Sequence, residues 1–324
     1  MKAIEATPSP GTLAAVEDAR ALIAPYITRT PALPTDLDSR LLLKAECFQR
    51  TGSFKARGAF NAILRLDPKS TPGVITASSG NHAQAVALAA KTAGLKAVIL
   101  IPEGANPRKV AATQALGAEV ISAGITFHNR DEKLAEYTER LGLTLIHPYD
   151  NWDVIHGQGT GALELLEDVQ DRIDAVAVPV GGGGQIAGWA IAVKGRSPET
   201  RVIGVEPATA DDAARSLQTR QLQRLKTPPD TIADGVKTLS IGARDFEVIV
   251  ERGLVDDIVI VSEDEIAEAT RVAWLRCKLA LEPTGALTLA AYLAGRLPKQ
   301  GRLGLLLSGG NFDPKQIAGL LTQK

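Results

Sequence analysis

The chain has 324 residues, enough for one large or two moderate domains with a substantial core. Its 36 basic and 37 acidic residues nearly cancel and form no run of one sign, which argues against a nucleic-acid or polybasic membrane partner. Cys47 and Cys277 are the only cysteines, no apolar run reaches membrane-spanning length, and Met1-Lys2-Ala3-Ile4-Glu5 lacks the apolar core of a signal peptide, so a disulfide-free cytoplasmic enzyme is expected.

The first strong feature is Thr51-Gly52-Ser53-Phe54-Lys55-Ala56-Arg57-Gly58-Ala59. Ala59, Ile63 and Leu64 recur at helical spacing, so a helix should open here, with Ser53 as its cap and Lys55 in its first turn. A cation is disfavoured at a helix N-terminus, which lowers an amine's pKa and favours a nucleophile or a Schiff base. A lone lysine is far more often an ordinary surface residue.

Strands and helices then alternate. The pattern predicts strands at 74–76, 97–101, 118–121 and 143–146, with helices at 81–93, 107–116 and 130–141 between them. Such a unit is parallel α/β. A second unit follows, with helices at 158–169 and 185–193 and strands at 175–180, 202–205 and 303–307. Residues 208–245 are poorer in pattern, with Pro228 and Pro229 marking a loop. Two open parallel-sheet α/β domains with the ligand in the cleft between them are expected.

Three loops carry candidate chemistry. Gly181, Gly182, Gly183 and Gly184 lie between a strand and a helix, where their backbone can aim several N–H groups at one anion. The dinucleotide fingerprint is absent, so a monophosphate fits better than a pyrophosphate. Ser78-Ser79-Gly80-Asn81-His82 also joins a strand to a helix; it could bind a carboxylate or merely cap the helix. Ser308-Gly309-Gly310-Asn311 ends the last strand, where open α/β sheets face their ligand, though a plain turn would read the same.

Together these segments resemble the fold type II, β-family enzymes that depend on pyridoxal 5'-phosphate (PLP), and within them the serine/threonine dehydratase and serine racemase group. The resemblance runs from about residue 10 to about residue 313. It implies a large PLP-binding domain of residues 1–72 and 150–324 and a small substrate-loop domain of residues 73–149. Lys55 would hold PLP covalently and remove the Cα proton, and Phe54 would lie near the pyridine ring. Asn81 would bond the phenolic oxygen, the four glycines would hold the phosphate, and Ser308 would face the pyridine nitrogen. A serine there cannot keep that nitrogen protonated, which suits elimination better than transamination. Ser78, Ser79, Asn81 and His82 would bind the amino-acid substrate, with Ser79 acting opposite Lys55.

Glu206-Pro207-Ala208-Thr209-Ala210-Asp211-Asp212 resembles the group's divalent-cation site, with Glu206, Asp212 and the Ala210 carbonyl suited to Mg²⁺ or Ca²⁺. Without the resemblance it reads as an acidic loop. The implied activity is an ammonia-lyase (dehydratase) that removes the β-hydroxyl of threonine, serine or 3-hydroxyaspartate, giving a 2-oxo acid and ammonia. A serine-type amino-acid racemase, or a bifunctional enzyme, is the second reading, and a non-catalytic ligand-binding protein a third. Tyr149, after His147-Pro148, departs from the mammalian racemase pattern toward the dehydratases. A homodimer is expected. The sequence ends at Lys324, leaving no room for a C-terminal regulatory domain, so isoleucine feedback is not expected.

Overall fold

The computed structural model describes residues 8–105, 107–126, 128–169 and 172–322. The chain begins with α1 (Leu13–Ile23), β1 (Ala32–Pro34), β2 (Leu41–Ala45) and α2 (Lys55–Leu64). It continues through β3 (Val74–Ala77), α3 (Asn81–Ala93), β4 (Ala97–Leu100), α4 (Pro107–Ala115), β5 (Glu119–Ile121), α5 (Arg130–Leu141) and β6 (Thr144–Leu145). Next come α6 (Trp152–Asp168), β7 (Ala175–Pro179), α7 (Gly184–Arg196), β8 (Arg201–Pro207), α8 (Asp212–Thr219), α9 (Ala243–Phe246) and β9 (Asp257–Val261). The last elements are α10 (Glu263–Leu275), α11 (Leu287–Leu293), β10 (Leu303–Leu307) and α12 (Pro314–Thr322).

These strands form two sheets. One has four strands in the order β5-β4-β3-β6, all parallel. The other has six, in the order β1-β2-β10-β7-β8-β9, parallel except for β1 at the edge. Strands β3, β4, β7 and β10 are buried along their whole length, as parallel strands covered by helices on both faces must be. The expected α/β class and the strand set around 74–146 are therefore borne out. Among the described residues no helix is long and apolar enough to cross a membrane.

Helix α2 belongs to both parts of the molecule. Its residues Ala56, Ala59, Phe60 and Ile63 share a core with Val74, Val86 and Ile99 around the four-stranded sheet. Its other side presses on α6: a Cβ at Gly157 would lie 2.6 Å from the Gly58 Cα and from the Arg57 carbonyl oxygen. Only glycine permits that approach.

The cap at the start of α2 differs from expectation. Ser53 is extended (φ −160°, ψ 160°), and among the described residues its buried hydroxyl has no partner. Helix α2 starts after Phe54 without a side-chain cap, because Ser53 bridges Gly309 and the Phe54 N–H donates to the Ser308 carbonyl at 3.1 Å. Lys55 nevertheless falls in the first turn, as expected. Helix α6 also starts before its expected position, capped by Asn151, whose Oδ1 accepts from the Val154 N–H at 3.0 Å.

Arg57 is fully buried and tied on both sides. Its guanidinium donates to Glu46 Oε1 and Oε2, each at 2.8 Å, and to Glu164 Oε1 and Oε2 at 2.8 and 2.7 Å. Lys44, also fully buried, donates to Glu164 Oε2 at 2.8 Å and to the Thr30 carbonyl at 2.6 Å. Two cations and two anions thus neutralise one another. Burial pushes the Glu164 carboxyl up, but the charges of Arg57 and Lys44 outweigh it and hold the group below its usual range. Arg57→Met should leave Glu46 and Glu164 without their main partner and cost about 3–5 kcal/mol. Urea unfolding should register it as a lower midpoint, and a variant as stable as the parent would show the cluster to be energetically neutral.

Candidate active site

The start of α2 and the end of β10 are joined backbone to backbone. Besides the Phe54–Ser308 bond, the Gly310 N–H donates to the Gly52 carbonyl at 2.9 Å. Asn311 Nδ2 donates to the Thr51 carbonyl at 2.6 Å and to Asn81 Oδ1 at 2.7 Å. The structure thus brings together three segments that are distant in sequence: 51–55, 78–82 and 308–311. Ser308 is buried, and its Oγ lies 3.4 Å from the Thr284 carbonyl.

Lys55 is partly buried, and its Nζ donates to the Pro148 carbonyl at 2.8 Å. The same nitrogen stands 5.0 Å from the centre of the Phe54 ring. Burial lowers the amine to about 8, with the Asp245 charge acting in the opposite direction. A much larger fraction is therefore uncharged near neutral pH than for a free lysine. The buried His82 ring faces the same region. Burial first, then the Lys55 charge, pushes it down to about 3, so it is neutral, and its Nε2 pairs with the Ile146 carbonyl at 3.0 Å.

Asn81 opens α3 with its amide locked. Its Nδ2 donates to Glu282 Oε1 at 2.6 Å while its Oδ1 accepts from Asn311. The capping alternative for this loop is not realised: Gly80 stands at the cap position and no side chain caps the helix. Ser78 Oγ instead accepts from the Gly80 N–H at 3.3 Å, and Ser79 is exposed. The N–H groups of the first turn are open to an anion.

The glycine run sits between β7 and α7 under close cover. A Cβ at Gly182 would fall 2.2 Å from the Tyr149 ring, and one at Gly184 2.9 Å from the Tyr149 backbone. Gly183 adopts φ +100°, a left-handed conformation that side-chain-bearing residues avoid. The open first turn of α7 and this side-chain-free approach fit a phosphate. Tyr149 connects the run to the lysine, since Lys55 bonds the residue before it. An orphaned buried acid, Asp245, lies against Gly183.

Glu206 and Asp212 are near one another beneath the start of α8. Glu206 Oε1 and Oε2 accept from the Ala213 and Ala214 N–H groups at 3.2 and 2.9 Å. Burial, then the Asp212 charge, raises Glu206 well above the ordinary carboxylate range, and burial raises Asp212 to about 6. Among the described residues Asp212 Oδ2 is buried without a partner, and Ala210, in the same loop, is buried too. An orphaned oxygen next to a second buried carboxylate suits a hard cation. Among the described residues no three His, Cys, Asp or Glu side chains gather as a metal cluster, so a cation here would lean on the Ala210 carbonyl and water.

Sequence reasoning passed over Glu282 and Asp245. Each is a single acid in a stretch without a motif. Glu282 is pushed up to about 7, by burial and then by Asp234. Its contact with Asn81 spans 201 residues, and no local signal marks it.

The sequence matches the family described as "Pyridoxal-phosphate dependent enzyme" over residues 23–309. It is 42% identical to the L-threo-3-hydroxyaspartate ammonia-lyase of Saccharomyces cerevisiae, over 95% of this chain and 96% of that one. It is 43% identical to the serine racemase of Arabidopsis thaliana, over 92% of each chain. Among solved structures, a threonine deaminase from T.th. superposes with a TM-score of 0.88 at 50% identity, covering 93% of this chain and 99% of that one. Maize serine racemase gives a TM-score of 0.90 at 38% identity, covering 96% and 97%. The match spans most of the chain, so the protein belongs to the family of PLP-dependent enzymes with the fold type II architecture.

Proposed function

We propose that the protein is an ammonia-lyase that removes the β-hydroxyl of a hydroxy-amino acid, threonine, serine or 3-hydroxyaspartate, to give a 2-oxo acid and ammonia. The observation that carries this reading is the placement of Lys55 at the start of α2: its Nζ is held on the Pro148 carbonyl, and the segment just before it is hydrogen-bonded to the 308–311 turn that also binds Asn81. The site lies where residues 73–149 meet residues 1–72 and 150–324, the division we assign to two domains. PLP, when bound, supplies the electron sink for a carbanion at Cα.

The chain's own residues then divide the work. Lys55 would carry the cofactor and take the Cα proton. The 78–82 loop would receive the substrate carboxylate on its N–H groups, Asn81 would donate to the cofactor's phenolic oxygen, and the 181–184 run would hold its phosphate. Ser308 would face the ring nitrogen with a hydroxyl, too weak an acid–base group to keep it charged. The β-hydroxyl would leave as water with the proton that Lys55 took from Cα, and a water molecule would hydrolyse the released enamine to the 2-oxo acid and ammonia.

Racemisation is the second reading. It is favoured by Ser79, a hydroxyl in the substrate loop that Lys55 does not bond, and by the relatives that are serine racemases. If Ser79 serves the face opposite Lys55, Ser79→Ala should abolish racemisation and D-substrate turnover while leaving L-elimination within a few-fold. A panel of L- and D-serine, L-threonine and the 3-hydroxyaspartate isomers, scored for oxo acid and enantiomer, checks this. Equal loss of the L and D reactions would make Ser79 a binding residue only.

We also propose that Glu206, Asp212 and the Ala210 carbonyl take Mg²⁺ or Ca²⁺ as a structural ion. Two buried carboxylates repel, and a divalent cation relieves that repulsion. Mg²⁺ or Ca²⁺ should raise the melting temperature, and a chelator should reverse the rise. Asp212→Asn should remove most of the shift. A full shift in that variant would put the ion elsewhere.

A further inference from the structure

Asp245 has no solvent exposure, and among the described residues neither of its carboxyl oxygens has a well-formed hydrogen bond; the Gly242 N–H bears on it without completing one. It packs on the glycine run. A Cβ built at Gly183 would lie 2.6 Å from Asp245 Cβ and 3.3 Å from its Oδ2, and one at Gly242 would lie 2.6 Å from the same oxygen. A buried carboxyl without partners is unfavourable, and as an anion more so.

The groups that face it do not settle its charge in favour of the anion. Asp150, ahead of α6, repels the anion, while the Gly242 N–H, Lys55 on α2 and Arg244, its neighbour on α9, favour it; the Tyr149 phenol also lies within range. Burial first, then Asp150, raises Asp245 well above the ordinary carboxylate range. A neutral carboxylic acid carries one O–H donor. A phosphate offers only acceptor oxygens and would repel a carboxylate beside it. The orphaned acid and the ligand for which the glycine run is shaped therefore complement one another.

We infer that Asp245 is a further cofactor-binding residue, which as the neutral acid donates a hydrogen bond to the phosphate held by residues 181–184. The inference rests on reading that run as the phosphate site. It carries a pH sign. The donor is present below the acid's ionisation and is lost as pH rises through it, when the anion also repels the phosphate.

The test measures the dissociation constant of the apoprotein for pyridoxal, which lacks the phosphate, divided by that for PLP, from neutral to alkaline pH. Lys55 titrates in both cases and cancels in the ratio, which isolates the phosphate contribution. Asp245→Leu, similar in size but without a donor, should lower the ratio about tenfold or more. Asp245→Asn, a permanent donor, should keep the ratio near the parent's and lose the parent's alkaline decline. Unchanged pyridoxal affinity checks that each variant is folded. A parental ratio in Asp245→Leu would overturn the inference, and so would an Asp245→Asn variant as weak as Asp245→Leu. Gly183→Val separates the two levels. If it collapses the ratio while the Asp245 variants do not, only the role of Asp245 fails; if it leaves the ratio unchanged, the phosphate reading itself fails.

Discussion

The buried charge cluster around Arg57 is the constraint on which the site depends. It joins β2 through Lys44, the turn after it through Glu46, α2 through Arg57 and α6 through Glu164. Arg57 stands two residues after Lys55 on the same helix, so the bidentate pairs that fix its guanidinium also fix the rotation and depth of the helix start. An apolar contact in that place could slide. Four directional bonds to two carboxylates cannot, because any shift leaves a charge unpaired where water does not reach. The glycine contact between α2 and α6 adds a steric stop to the electrostatic one.

The reactive face depends on incomplete pairing, in contrast to that cluster. Lys55 meets a carbonyl and not a carboxylate, which leaves burial free to lower its pKa. His82 is kept neutral for the same reason. Glu282 and Asp245 are both raised, so acids near the site tend toward their neutral forms. On the proposed reading, a site organised this way would leave the ligand's phosphate and carboxylate to be met by backbone N–H groups at the starts of α7 and α3.

Much of this was legible in the sequence where local chemistry decides structure. The helix expected at 81–93 runs over Asn81–Ala93 and that at 130–141 over Arg130–Leu141, each stopped by a glycine in the left-handed region, Gly94 and Gly142. The strand expected at 303–307 is continuous and apolar, and it runs over Leu303–Leu307. Where long-range pairing decides, local rules failed. Ser53 looks like a cap, but the pairing with 308–310 draws its backbone into an extended form. Helix α6 begins before the position expected, and Gly157 and Gly159 inside it are required by close packing on α2 and α7. Strand β1 is three residues long, preceded by Pro31 and ended by Pro34, and gives no clear strand signal. The loops that form the candidate site stood out because glycine and capping residues cluster there. The acids that support them did not, because a buried Glu282 or Asp245 has the same local sequence as an exposed one.

Sodium borohydride reduction of the PLP-loaded protein, followed by peptide mass spectrometry, tests the central claim most directly. A single stable pyridoxyl adduct is expected, on the peptide that contains Lys55. An adduct on another lysine, such as Lys44 or Lys109, or full loading of a Lys55→Ala variant in the same assay, would contradict it.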